Sequence, residues 1–357
     1  MYICKKKTYQ NMTRTTFGQR LRTLRLMNHL SMDQLGMRLP NKAHRQTIAK
    51  YECDVMKPRK HTLQAICKVL YIDPFFMDSG RDFYLSSPRH RNPNNSTIPE
   101  DIMNQLLGET STWLASYFYK EREAGLPAPK FINPLNDIII KTRADVELAA
   151  NTLRQKWHIG DGPIASLCRL VERKGIKMQN TPLPKDVLGM SLWAENCYPL
   201  ILINFDERVT STERLRFTVA HELGHLLLRF DDEVEFECKK PNEDPIEKLC
   251  EIFAACLLLP RQTFIEEIGS HRDFLTLKEL IDLKEQYGVS IAALVHQAWD
   301  FRIISREHYD WWFDQQINNN KREFGWGHYP VPESLGREMR LTTIVDELNK
   351  TNKAVGV

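Results

Sequence analysis

His221 and His225 stand four residues apart in Phe217-Thr-Val-Ala-His-Glu-Leu-Gly-His-Leu-Leu-Leu228, with Glu222 beside the first. The run is apolar and lacks Pro, so it reads as helix. Four residues is about one turn, which sends both imidazoles off one face where they can share a metal ion. Glu222 can then reach water at that ion and act as general base. Ala220 and Gly224 leave room beside the histidines. A catalytic zinc needs a third protein ligand and a fourth position for water. Residues 246–260, Ile-Glu-Lys-Leu-Cys-Glu-Ile-Phe-Ala-Ala-Cys-Leu-Leu-Leu-Pro, read as a second apolar helix ended by Pro260, and its acidic residues are Glu247 and Glu251. Glu247 is assigned as the ligand, completing a thermolysin-like set of two histidines and a glutamate. Glu251, one turn on, is expected to accept the free N–H of a ligand histidine and fix its tautomer.

Short elements must position these helices. Gly175–Met178, Gly189–Trp193 and Leu200–Asn204 read as strands, the last almost wholly apolar and preceded by Pro199. A small sheet beside an active-site helix suits peptide binding, because an extended substrate can add itself to an exposed edge; Gly189–Trp193 reads either as that edge or as an ordinary covered one. Residues 100–124 read as helix, and the stripe Trp113, Leu114, Tyr117 and Phe118 suits core or a dimer contact. Beyond Pro260, Leu275–Tyr287, Ser290–Phe301 (with Ser290 as cap) and Glu333–Leu348 read as helices. His296, His308, Tyr309 and His328 receive no role, and that of the tail 321–357 is open.

From about Ala149 to Pro260 the chain resembles the ImmA/IrrE-type metallopeptidases. The resemblance rests on Leu153-Arg154-x-x-Trp157, Gly160-x-Gly162-Pro163-Ile164, Gly189-Met-Ser191-x-Trp193, Pro199-Leu-Ile-Leu-Ile-Asn204, Arg216-Phe217-Thr-x-Ala-His-Glu-Leu-Gly-His225 and Phe253-Ala-Ala-x-Leu-Leu-x-Pro260. It implies a zincin-like fold and a regulatory protein as substrate. The second helix departs from the pattern: the family usually has Glu-x-x-Ala-Asn where this chain has Glu247-x-x-Cys250-Glu251. Glutamate for asparagine keeps an acceptor for the histidine N–H and adds charge near the metal.

Residues 16–77 carry a different pattern of helix-sized pieces with short connections. A basic helix begins at Phe17, Ser31 caps the next with Gln34 at the capping-box position, and His44 to Glu52 follows the turn Pro40-Asn41-Lys42. The pattern resembles the helix-turn-helix domain of lambda-repressor and xenobiotic-response-element (Xre) regulators, whose third helix enters the major groove. The matching positions are Arg45, Gln46, Thr47 and Lys50, with Arg45 and Gln46 suited to base edges and Lys50 to phosphate. Charge agrees: residues 1–80 hold fifteen Lys and Arg against five Asp and Glu, leaving a net −7 on the other 277 residues of a chain of net +3. A basic head on an acidic body suits double-stranded DNA as partner.

The expected fold is therefore α+β and predominantly helical. It comprises a tail (1–15), an all-α DNA-binding domain (16–85), a breaker-rich linker (86–99), a helical connector (100–136), a metallopeptidase domain (137–270) and a helical C-terminal region (271–357). No segment approaches a membrane span, and Met1–Lys7 lacks the apolar core of a secretory signal. Eight cysteines without a Cys-x-x-Cys pair suit reduced, mostly buried thiols in a cytoplasmic protein. Cys250, one turn beyond Glu247, reads chiefly as a small buried side chain, with oxidant sensing as the other reading. Two functions fit: a Zn2+-dependent endopeptidase directed to DNA, with a regulatory protein as substrate, or a transcription regulator whose peptidase-like body is a sensor or dimerisation unit. A homodimer on a palindromic operator is the default for such a head.

Overall fold

The computed structural model describes residues 15–79, 82–86, 88–91, 98–184, 186–205, 210–236, 238 and 243–354. Nearly all of the expected tail, and residues 87 and 92–97 of the expected linker, lie outside that set.

Five short helices form the N-terminal unit: α1 (Phe17–Met27), α2 (Met32–Arg38), α3 (Arg45–Glu52), α4 (Lys60–Val69) and α5 (Pro74–Ser79). Thr16 and Ser31 each make a full capping box, with Gln19 and Gln34 returning the bond. Leu21, Leu24, Leu35, Ile48, Ile66 and Leu70 are fully buried in the shared core. Gly36 marks the tight passage from α2 to α3. Its carbonyl accepts from the Ala43 N–H, and a Cβ there would lie 1.9 Å from the Ala43 carbonyl oxygen. Two of the basic residues are internal ties: Arg25 grips Glu52 and Arg20 grips Asp82.

The next segment departs from expectation. Part of the linker forms a strand, β1 (Arg89–Arg91), followed by the long helix α6 (Glu100–Glu123). Then come β2 (Ile139–Ile140), α7 (Arg143–Lys156), α8 (Leu167–Arg173), β3 (Lys177–Asn180), β4 (Gly189–Ala194), β5 (Tyr198–Ile203), α9 (Thr212–Leu227), β6 (Arg229–Phe230) and α10 (Pro245–Leu258). The main sheet has the order β1-β4-β5-β3, with β5 antiparallel to β4 and parallel to β3, while β2 and β6 form a short parallel pair.

Both faces of this sheet are covered, which is why β5 is apolar along its length. Ile201 and Ile203 face the core that holds α9 and α10, whereas Leu200, Leu202, Met190 and Leu192 face α6. Trp113, Leu114 and Tyr117 of α6 are buried against that second face, so the aromatic stripe is core, each such side chain contributing about 2–3 kcal/mol. Of the two readings of Gly189–Trp193, the covered edge is the one found, because β1 pairs antiparallel along β4. An edge strand needs only backbone N–H and C=O groups, so the polar composition that suggested a linker does not prevent pairing.

The chain ends with α11 (Arg261–Ile268), α12 (Leu277–Tyr287), α13 (Ile291–Asp300), α14 (Arg306–Trp311) with a π-helical turn at Trp312–Ile317, and α15 (Gly336–Ala354). Ser290 caps α13 as expected. One buried cluster runs from Leu135 to Trp326, so residue 270 does not separate two cores. The tail is tied to the body. Glu338 of α15 accepts from Trp113 Nε1 at 3.0 Å and Lys120 Nζ at 2.9 Å on α6. Glu333 enters the core beneath α9. Among the described residues no helix is long and apolar enough to cross a membrane.

Candidate metal centre

α9 is capped by Ser211, whose hydroxyl accepts from the Arg214 N–H, and is buried on nearly every side. That burial explains an apolar sequence with little amphipathic contrast. His221 and His225 leave its face toward the first turn of α10. Asp244 caps α10, Pro245 occupies its first turn, and Glu247 follows where the helix N-terminus favours a carboxylate. The three side chains converge. His221 Nε2 lies 3.1 Å from His225 Nε2 and 3.1 Å from Glu247 Oε2, and His225 Nε2 lies 3.2 Å from Glu247 Oε1.

These separations test the fit of an ion. A tetrahedral zinc with bonds near 2.0–2.1 Å holds its ligand atoms about 3.3 Å apart, close to the spacing found. The donor set is also that of a zinc hydrolase. Burial works against ionisation of Glu247, but hydrogen bonds from His221 and His225 outweigh it and hold the carboxyl well below its usual range. The histidine side chains are at most 1% exposed and that of Glu247 is 37% exposed, so solvent reaches the centre from the Glu247 side.

Glu222 lies on the sheet side of α9, fully buried, and its Oε2 accepts a 2.6 Å hydrogen bond from Ser191 Oγ on β4. Sequence reasoning missed Ser191. The available signal was alternation, which puts Gly189, Ser191 and Trp193 on the face toward α9. Gly189 permits the approach: a Cβ there would stand 2.5 Å from Thr218 Cγ2 and 3.2 Å from Glu222 Cγ. Gly224 plays the same part toward α10, where a Cβ would meet Phe253 Cδ1 at 3.2 Å and Cys250 Sγ at 3.3 Å.

The expected role of Glu251 requires correction. It pairs with Lys248 at 2.9 Å, and Cys250 Sγ is what approaches His225 Nδ1, at 3.5 Å. His221 Nδ1 is buried without a partner among the described residues. Helical geometry explains the exchange. Relative to Glu247, Cys250 is rotated about −60° and Glu251 about +40° around the axis, and α9 lies on the Cys250 side. Glu251 turns instead toward a cavity of about 570 Å³, lined also by Phe217, Ala255, His296, Trp299 and Tyr309. His296 Nδ1 and the Tyr309 hydroxyl lie 3.2 Å apart there. His308 is a packing residue, whose Nε2 accepts from the Leu275 N–H at 3.0 Å and Trp312 Nε1 at 3.2 Å. Burial pushes the Cys67 and Cys256 thiols up to about 12, as expected of structural cysteines.

On α3, Arg45, Gln46 and Lys50 are exposed, Thr47 is half-buried, and Ile48 and Tyr51 hold the helix to its unit. Lys42, Lys57, Arg59 and Lys60 are also exposed around it.

Residues 171–298 match the family described as the IrrE N-terminal-like domain, a peptidase family. A stretch of 102 residues is 33% identical to the radiation response metalloprotease IrrE of Deinococcus radiodurans, covering 27% of this chain and 30% of that protein. The chain thus aligns with less than a third of the length of this relative. The two matches support a metallopeptidase-type domain of the ImmA/IrrE kind.

Proposed function

We propose that this chain is a DNA-binding regulator whose body is a zinc-dependent endopeptidase acting on a regulatory protein. The observation that carries the reading is the convergence of His221, His225 and Glu247 beside a buried Glu222. Zinc held by those three residues would polarise the scissile carbonyl and bring water toward neutral acidity. Glu222, oriented by Ser191, takes the proton from the attacking water and passes it to the leaving amine. Cys250 backs the His225 ring, and the cavity beyond Glu251 offers an aromatic-walled space for a substrate side chain. At the other end, Arg45 and Gln46 read base edges, Thr47 supports them, and Lys50 contacts phosphate of an operator, most simply as a homodimer on a palindrome.

Elemental analysis of the purified wild type, His221→Ala, Glu222→Gln and Glu247→Ala tests the centre. The expected result is about one zinc per chain in the wild type and in Glu222→Gln, and little in the ligand variants. Full metal content in Glu247→Ala would remove that residue from the ligand set. A second reading, a regulator whose body senses or dimerises without hydrolysis, is favoured by the strand that covers the β4 edge. A protein that binds operator DNA yet retains no zinc would decide for it.

A further inference from the structure

The strand paired to β4 belongs to the segment that joins the N-terminal helices to the body. Trp193 donates its N–H to Ser86 Oγ at 2.9 Å, and its carbonyl accepts from the Ser86 N–H at 2.8 Å. The backbone polar groups of Trp193 therefore point toward this segment, and alternation turns those of Ser191 and Gly189 the same way. In the register Arg89–Ser191, His90–Met190, Arg91–Gly189, the outer two pairs are then the hydrogen-bonded ones. Upstream, Leu85 bridges Ala194 and the Glu195 N–H donates to the Tyr84 carbonyl at 2.9 Å. Backbone at residues 84–86 and again at 89–91 thus lies along β4, and β1 also packs against α9.

We infer that this segment is an internal pseudosubstrate: it fills the edge on which an extended peptide would pair antiparallel to β4, and so closes the peptidase site. The inference rests on the endopeptidase reading. Three observations place the edge at the chemistry. Ser191, paired with Arg89, holds the Glu222 carboxylate. Gly189, paired with Arg91, lies against Glu222 Cγ. β4 has β5 on its other side, so a peptide adding to β4 competes for the row of groups that the segment now holds.

The same segment is anchored to the N-terminal unit. Asp82 accepts from Thr15 N–H at 3.0 Å, Thr15 Oγ1 at 2.9 Å and Arg20 at 2.9 Å, and Tyr84 lies only two residues further on. Movement of the N-terminal helices, on binding DNA or a partner, pulls directly on the strand that blocks β4. Release exchanges an intramolecular occupant for a substrate strand without any change at the metal ligands.

The test uses the full chain. Arg89→Pro with Arg91→Pro removes both N–H donors, while Arg89→Ala with Arg91→Ala loses the same charges and keeps them. Amide exchange across Gly189–Ala194 should rise about tenfold or more in the proline pair over the alanine pair. Hydrolysis of unfolded casein by the zinc-loaded proteins should rise by a similar factor, mainly through a lower KM. In a Glu222→Gln background, a labelled peptide with the sequence of residues 84–91 should bind the proline pair about tenfold more tightly than the alanine pair. Equal exchange in both pairs would overturn the inference, as would faster exchange without tighter peptide binding. Absence of casein cleavage in every variant, with exchange and peptide binding raised as expected, would sink the endopeptidase reading and leave the blocked edge standing.

Discussion

Glu333 is the most informative single residue to remove outside the candidate centre. Its carboxylate takes a 2.5 Å hydrogen bond from Arg216 Nη1, and both side chains are at most 1% exposed. The same carboxylate accepts from Ser166 Oγ at 2.8 Å and from the Leu167 and Cys168 N–H groups at 2.9 and 3.0 Å, thereby capping α8. Arg216, one residue before Phe217 on α9, spends its other nitrogens on the carbonyls of Ile164, Tyr287 and Gly288, under the Tyr329 ring at 4.3 Å. Glu333→Ala leaves a buried guanidinium without its counter-ion, a loss of about 3–5 kcal/mol. It also strips the start of α8 of its acceptor, at about 1 kcal/mol for each bond not replaced by water. Urea unfolding followed by tryptophan fluorescence should show that loss for Glu333→Ala. The pair Arg216→Met with Glu333→Leu should recover only the ionic part, because the α8 donors remain unsatisfied. A cost below about 1 kcal/mol for Glu333→Ala would refute the reasoning, since no buried charge could then have been left unpaired.

Other perturbations discriminate further features. Gly189→Ala should destabilise by about 1–3 kcal/mol, because its Cβ would lie about 1 Å inside normal contact with Thr218 Cγ2. Adding Thr218→Ser should restore most of that loss in the same urea assay, and the absence of coupling would place the strain elsewhere. Glu251→Ala should leave zinc content unchanged, while Cys250→Leu should lower it by crowding His225 and Gly224, as elemental analysis can show. Arg45→Ala with Gln46→Ala should lose discrimination among DNA sequences at constant salt, whereas Lys50→Ala should weaken all sequences alike. Unchanged operator selection by the double variant would remove α3 from base reading.

The residues that meet through one helical period were legible. His221 and His225 share a face because they are four apart, and Glu247 heads the one downstream apolar helix with carboxylates to spare. The choice between Glu251 and Cys250 behind His225 was not legible, since it turns on about 100° of rotation of α10 about its axis. Ser191 and Glu333 were missed for another reason. Each acts across the chain, 31 residues to Glu222 and 117 residues to Arg216, and a buried polar contact between distant elements leaves no periodic trace.

β1 was hidden by the very residues that suggested a linker. Pro88 directly precedes it, and proline is tolerated where a strand begins or lies at an edge. Arg-His-Arg lacks the apolar alternation of a strand buried on one face, but pairing at an edge asks only for N–H and C=O groups in register. The backbone groups of β4 that β1 now holds are the ones an added strand would need.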